Sequence, residues 1–292
     1  MRWINEGAKN DNGEVAFSNI TRKAFISNQA SDYIAVVNLD NNFLVRLVDV
    51  GGRNNQTQPL DVPHHVTVDN QGRYFYPALI AEGYLEKLDS VTYEKVGRLF
   101  LGSAPAEIFL LSNGTKGYVT NWDASGLERN VKFIDTQNMT VLDTISDIRM
   151  KATHGARITH DDNYLIVISQ LSEYILVIRT SDNQIEDAVP VDDLVPPNGN
   201  GTNLFLPYSI SITPDDRYGF ITCPKSNDVR VFDIQSRNII RRIFVSQYPL
   251  MAEVSPDGQW CYVPNRNSNS VSVINIQTFS VIKTIPNVGV QP

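Results

Sequence analysis

The chain has 292 residues, of which 42% are apolar and 20% charged, with 17 Gly, 15 Pro and a formal net charge of -7. This balance excludes a disordered or collagen-like chain, and the acidic charge argues against the broad basic face that supplies non-specific nucleic-acid affinity. No run of 18 apolar residues offers a membrane-spanning helix, and residues 1–15 lack the apolar stretch of an export signal.

In chain order, six copies of one unit can be read, at about 13–50, 63–101, 105–145, 153–189, 207–245 and 249–285. The first copy is the loosest, with Ser18-Asn19-Ile20-Thr21 where others carry a Pro-Asp turn, and the second has Tyr76-Pro77-Ala78 where others read Tyr-Val-Thr-Asn. The last two are one unit written twice, with matching positions 42 apart. Each copy holds four short β-type runs separated by Gly, Pro, Asn, Asp and Ser. In the last copy strand A covers 252–255, strand B 260–264, strand C 271–276 and strand D 281–285. A repeat of about 40 residues with four antiparallel strands predicts a blade that cannot bury both faces alone and must stack on its neighbours. The expected fold is therefore an all-β propeller of four-stranded antiparallel blades forming a single domain, residues 1–292. Position 292 falls where a seventh copy would begin, so the chain is read either as a closed six-bladed propeller or, the favoured expectation, as an incomplete seven-bladed ring and hence a fragment.

Signatures of common enzyme classes are missing: there is no C-x-x-C, no H-E-x-x-H, no G-x-S-x-G and no phosphate-binding loop. Cys223 and Cys261 are offset by four positions within equivalent strands, about 13 Å of strand, which is too far for a disulfide, so two free thiols are expected. The carboxylate pairs Asp161-Asp162 and Asp215-Asp216 fall in the turn itself, where Asp is favoured by its own backbone hydrogen bonds. His160 replaces the turn proline of other copies and is read as a solvated turn residue.

The A–B turns stay short, whereas two connections from strand D to the next strand A are enlarged, at 51–62 and 191–206, and the B–C loop 121–130 is expanded. Enlarged loops confined to one end of a repeat protein mark its binding face, although they also suit solvated connections at an open end. That end collects Trp122, Asp192, Asp193 and, in the last B–C loop, Arg266. Alignment of the copies places His64, Ala106, His154, Tyr208 and Leu250 at one position and His65, Glu107, Gly155, Ser209 and Met251 at the next, both at the axial end of strand A. Imidazoles and a carboxylate converging on a propeller axis are the chemistry of a metal site. His64, Glu107 and His154 are the candidates for it, but two or three ligands are few, and no metal or other cofactor is expected.

Gly117-Tyr118-Val119-Thr120-Asn121, Cys261-Tyr262-Val263-Pro264-Asn265, the Ser/Thr-Pro-Asp turns at 213–216 and 255–258 and the alternating strand C together resemble the YVTN-type β-propeller repeat of YncE-like and surface-layer-like proteins. The resemblance covers nearly the whole chain. It implies a periplasmic, secreted or cell-surface protein, and specifies strands and turns rather than a ligand. The function expected is a non-enzymatic scaffold that binds a protein or polysaccharide at its loop-rich face. The alternative is a lactonase-like hydrolase or a metal- or haem-carrying redox propeller using the axial His and Glu.

Overall fold

The computed structural model describes residues 15–18, 21–52, 61–102 and 104–289. Among them, 24 strands form six four-stranded antiparallel sheets, each in simple sequence order. The sheets are β1–β4 (Val15–Ser18, Lys23–Asn28, Tyr33–Asn38, Leu44–Asp49), β5–β8 (Pro63–Val68, Tyr74–Leu79, Tyr84–Asp89, Lys95–Phe100) and β9–β12 (Pro105–Leu110, Lys116–Asn121, Asn130–Asp135, Thr140–Ser146). They continue with β13–β16 (Thr153–Ile158, Tyr164–Ser169, Tyr174–Arg179, Gln184–Pro190), β17–β20 (Ile210–Ile212, Tyr218–Cys223, Asp228–Asp233, Asn238–Phe244) and β21–β24 (Glu253–Val254, Trp260–Asn265, Ser270–Asn275, Ser280–Pro286). The fold is an all-β propeller with six blades seen, one per sequence copy. The only helical segments among the described residues are single 3₁₀ turns at Pro224–Ser226 and Arg266–Ser268, and none among those residues is long and apolar enough to cross a membrane.

The chain divides into two compact units, residues 1–123 with 131–145 and residues 124–130 with 146–292. In the first, β5 lies against β1 and β2, and β9 against β5 and β6; in the second, β13 lies against β17 and β17 against β21. The core fills the spaces between sheets. Phe25 of β2 stacks on Phe75 of β6 with ring centroids 4.6 Å apart, inside a cluster that includes Ile34, Val36, Val66 and Leu79. Each fully buried aromatic of this kind stabilises the seam by about 2–3 kcal/mol. Phe220, Val229, Val254 and Ile274 form the matching cluster in the second unit. The fourth strands β4, β12 and β20, by contrast, are largely exposed.

The repeat's polar residues hold the turns. In the A–B turns the hydroxyls of Thr159, Thr213 and Ser255 donate to Asp161, Asp215 and Asp257, each at 2.6 Å, and accept the first amide of strand B from Tyr164, Tyr218 and Trp260 at 2.9–3.0 Å. The third position of the Tyr-Val-Thr-Asn stretch has a different task. Thr222 Oγ1 accepts from Ser209 N (3.2 Å) in its own sheet and donates to the Leu250 carbonyl (2.7 Å) leading into the next. Ser27 likewise donates to the His64 carbonyl at 3.3 Å. This hydroxyl is a rivet between blades. The fourth position closes the B–C loop, where buried Asn265 Nδ2 donates to Ser270 and Ser272. Cys223 and Cys261 are both free and buried, on separate sheets.

Candidate functional site

In the first unit, His64 and His65 follow Pro63 at the start of β5, where its pairing with β6 slips between Pro63 and His65, and the equivalent slip occurs between β9 and β10. Such a bulge re-aims side chains. His64 is buried, its Nδ1 lies 2.8 Å from Gln29 Nε2, and its ring lies nearly parallel to that of Trp122 at 5.8 Å. Because an amide nitrogen can only donate, Nδ1 is the acceptor and the neutral ring carries its proton on Nε2. His65 Nδ1 accepts the Ile108 amide at 3.2 Å, so both rings use on protein donors the lone pair a metal would need. Glu107 is fully buried, and its amide donates to Thr120 Oγ1 at 3.1 Å.

In the second unit, His154 is fully buried with its ring 3.9 Å from that of Tyr208, its counterpart in the next blade. Arg266 opens the 3₁₀ turn of the last B–C loop and donates its amide to Tyr248 O. Among the described residues, no group of three or more His, Cys, Asp and Glu side chains is placed to hold a metal ion.

The large connection 191–206 is held from below by two buried charges. Glu173 is fully buried in a left-handed conformation (φ 62°), and its carboxylate accepts Thr202 N (2.7 Å), Thr202 Oγ1 (2.6 Å), Phe205 N (2.8 Å) and Leu206 N (3.2 Å). Arg230, nearly fully buried on β19, donates to Val191 O (2.7 Å) and Asp192 Oδ2 (3.1 Å), while its Nε bonds Asp228, which also receives Arg242. Asp192 is thus a tether of its loop. Asp193 is exposed beside it. Residues 124–130 join the same end, since Arg129 donates to the carbonyls of Ile148 and Gly199 (3.3 Å to the latter). Above this frame the apolar tips stand in solvent: Leu127 is 89% exposed, Leu194 66%, Ile148 60% and Leu204 52%.

The other enlarged connection, 51–62, lies mostly outside the described residues, which omit 53–60. Its first described end rests on Glu86, which accepts Gly51 N at 3.1 Å and pairs with Lys95 at 2.5 Å and Arg98 at 3.2 Å, while at the other end Asp61 donates its amide to Asp32 Oδ1 at 2.7 Å. Glu86 and Arg230 hold the same place, the third residue of strand C in the blade after each long connection. Burial pushes the Glu86 carboxyl above its ordinary range, against the lowering pull of Lys95, Gly51 and Arg98.

Sequence reasoning missed Gln29, Glu86, Glu173, Asp228 and Arg230. A signal existed for Glu173 alone: it occupies the left-handed position before strand C that Gly83, Asn227 and Asn269 fill elsewhere, where a glutamate is out of character.

No protein-family model and no curated protein matches the chain. Many solved chains match its fold. One of them, titled Kuenenia stuttgartiensis Hydrazine Synthase, superposes with a TM-score of 0.58 at 16% identity, covering 94% of this chain and 98% of that one. At that identity the likeness shows the fold alone.

Proposed function

We propose that this chain is a non-enzymatic β-propeller scaffold that binds a protein partner through the loop-rich end of its second unit. One observation carries the proposal: the loops 124–130 and 191–206 are tied down by Arg129, Glu173 and Arg230 while presenting Leu127, Leu194 and Leu204 to water, with Ile148 exposed in the connection 147–152 that Arg129 also bonds. Loops held in one conformation lose little entropy on binding, and a cluster of exposed aliphatic tips is the kind of surface a partner buries. Aliphatic tips suit a protein better than a polysaccharide, whose surface is dense in hydroxyls. The repeat is of the YVTN type in this proposal, and the protein works in the periplasm, secreted or at the cell surface.

The test is site-specific photo-cross-linking in cells that make the protein. A photoreactive residue at 127 or 194 should yield a discrete protein adduct, and one at Gln235, in the exposed turn between β19 and β20 of the same unit, should not. Adduct patterns that do not differ between the two ends would overturn the assignment.

A further inference from the structure

At the A–B turn end of the second unit, a groove of about 410 Å³ opens between the fifth and sixth sheets, with Asp215, Arg217, Tyr218, Asp257, Gly258 and Phe279 among its walls. The preceding pair of sheets has this space bridged. There Asp216 reaches back to the turn of the fourth sheet, its carboxylate 2.6 Å from His160 Nδ1 and accepting the amides of His160 (2.9 Å) and Asp161 (3.2 Å). Gly258 holds the place of Asp216 in the sixth sheet, in the same left-handed conformation (φ 68° against 56°), and Pro214 holds the place of His160. A Cβ at Gly258 would stand 3.3 Å from the Pro214 ring. The loss of both bridging side chains leaves the groove open.

The walls have a definite chemistry. Tyr218 and Phe279 meet edge to face at 5.1 Å, and Arg217 lies over the outer face of Tyr218 at 4.9 Å. Both carboxylates give Oδ1 to their own turns. Arg217 also lies close enough to act on the charge of Asp215. Two carboxylates against one guanidinium leave the groove one negative charge in excess.

We propose that this groove receives an arginine side chain of a protein partner, its guanidinium against Asp257 and its stem along Phe279. A planar, weakly hydrated guanidinium can engage a carboxylate and lie on an aromatic wall at once, which an ammonium does less well. The site lies at the turn end, away from the loops of the proposed scaffold surface, and is independent of it.

The probe is N-acetyl-argininamide, titrated into the ¹⁵N-labelled full chain, with the neutral isostere N-acetyl-citrullinamide as control. The expected result is saturable shifts at the amides of Asp215, Arg217, Tyr218, Gly258 and Gln277, much weaker with citrulline. Asp257→Asn keeps the turn acceptor and removes the charge, so binding should weaken about five-fold, the size of one exposed ion pair. Gly258→Asn places a side chain over the groove in a conformation that Asn227 and Asn269 already adopt, and should also weaken binding with an unchanged thermal midpoint. Equal shifts with citrulline, or arginine binding untouched by both variants, would overturn the proposal.

Discussion

Arg237 lies over the ring of Tyr164, its guanidinium carbon 4.3 Å from the centroid, and reaches it from a left-handed backbone position at φ 58°. The same place in other C–D turns is held by Tyr93 (φ 64°) and Phe279 (φ 50°). Lys23 lies 4.7 Å from the Tyr93 ring, and Phe279 meets Tyr218 at 5.1 Å. Lys23, Tyr164 and Tyr218 each begin strand B of the preceding sheet. A side chain in a costly conformation thus latches one blade to the last.

Arg237→Ala should lower stability by about 1 kcal/mol, since it removes the cation–π contact and retains the strain. Arg237→Gly should fall closer to the wild type, because glycine relieves a left-handed cost of about 1–2 kcal/mol. Thermal unfolding of the two variants side by side checks the order.

The rivet at Thr222 predicts a larger effect. Thr222→Val strands the buried Ser209 amide and the Leu250 carbonyl, at a cost of about 1–3 kcal/mol for each group left unsatisfied. Thr222→Ser keeps the hydroxyl and should stay within about 1 kcal/mol of the wild type. Urea unfolding midpoints separate the two, and equal midpoints would show the hydroxyl to be idle.

Glu86 predicts a pH slope. Its carboxyl is raised in the folded protein by burial first, so between the ordinary value of 4.5 and the folded value the native state binds more protons than the unfolded chain. Its contribution is fully present below 4.5 and is lost as the pH rises through the folded value. Glu86→Gln should flatten that part of the stability profile, measured by denaturant titration from pH 4 to 8. An unchanged slope would assign it to other groups.

The two thiols should be inert until the protein unfolds. Burial pushes both Cys223 and Cys261 well above the usual thiol range, with Asp228 adding to the shift at Cys223. Iodoacetamide at pH 8 should leave the native chain unmodified and add two equivalents in urea, read by intact mass. Labelling of the native chain would contradict the packing around both residues.

The blade boundaries, the turn aspartates and the thiol register were legible in sequence because each depends on contacts within a few residues or on a spacing that recurs. Asp161, Asp215 and Asp257 announce a turn by being followed by a strand and preceded by a hydroxyl two residues back. The place of His64 and His154 near the start of strand A was legible too, but not their partners. Gln29 and Trp122 meet His64 from loops whose path depends on packing between sheets. Glu86 and Arg230 were hidden for another reason: a charge at one site of an alternating strand reads as its wet face, and only the loop lying over it makes the site dry. Opposite charges at one equivalent position, each beneath a long connection, become meaningful only when the loops are seen.

Gly155 sets a limit on treating the blades as interchangeable parts. Its amide donates to Tyr208 O at 3.1 Å, and a Cβ there would stand 2.6 Å from that oxygen and 2.8 Å from the Ser209 Cα. The join between the fourth and fifth blades therefore admits no side chain, whereas the neighbouring copies carry His65, Glu107, Ser209 and Met251 at the same place. Shuffling single blades into a consensus array would break this join, and the smallest transferable module in the second unit is the pair 153–245, moved as one piece.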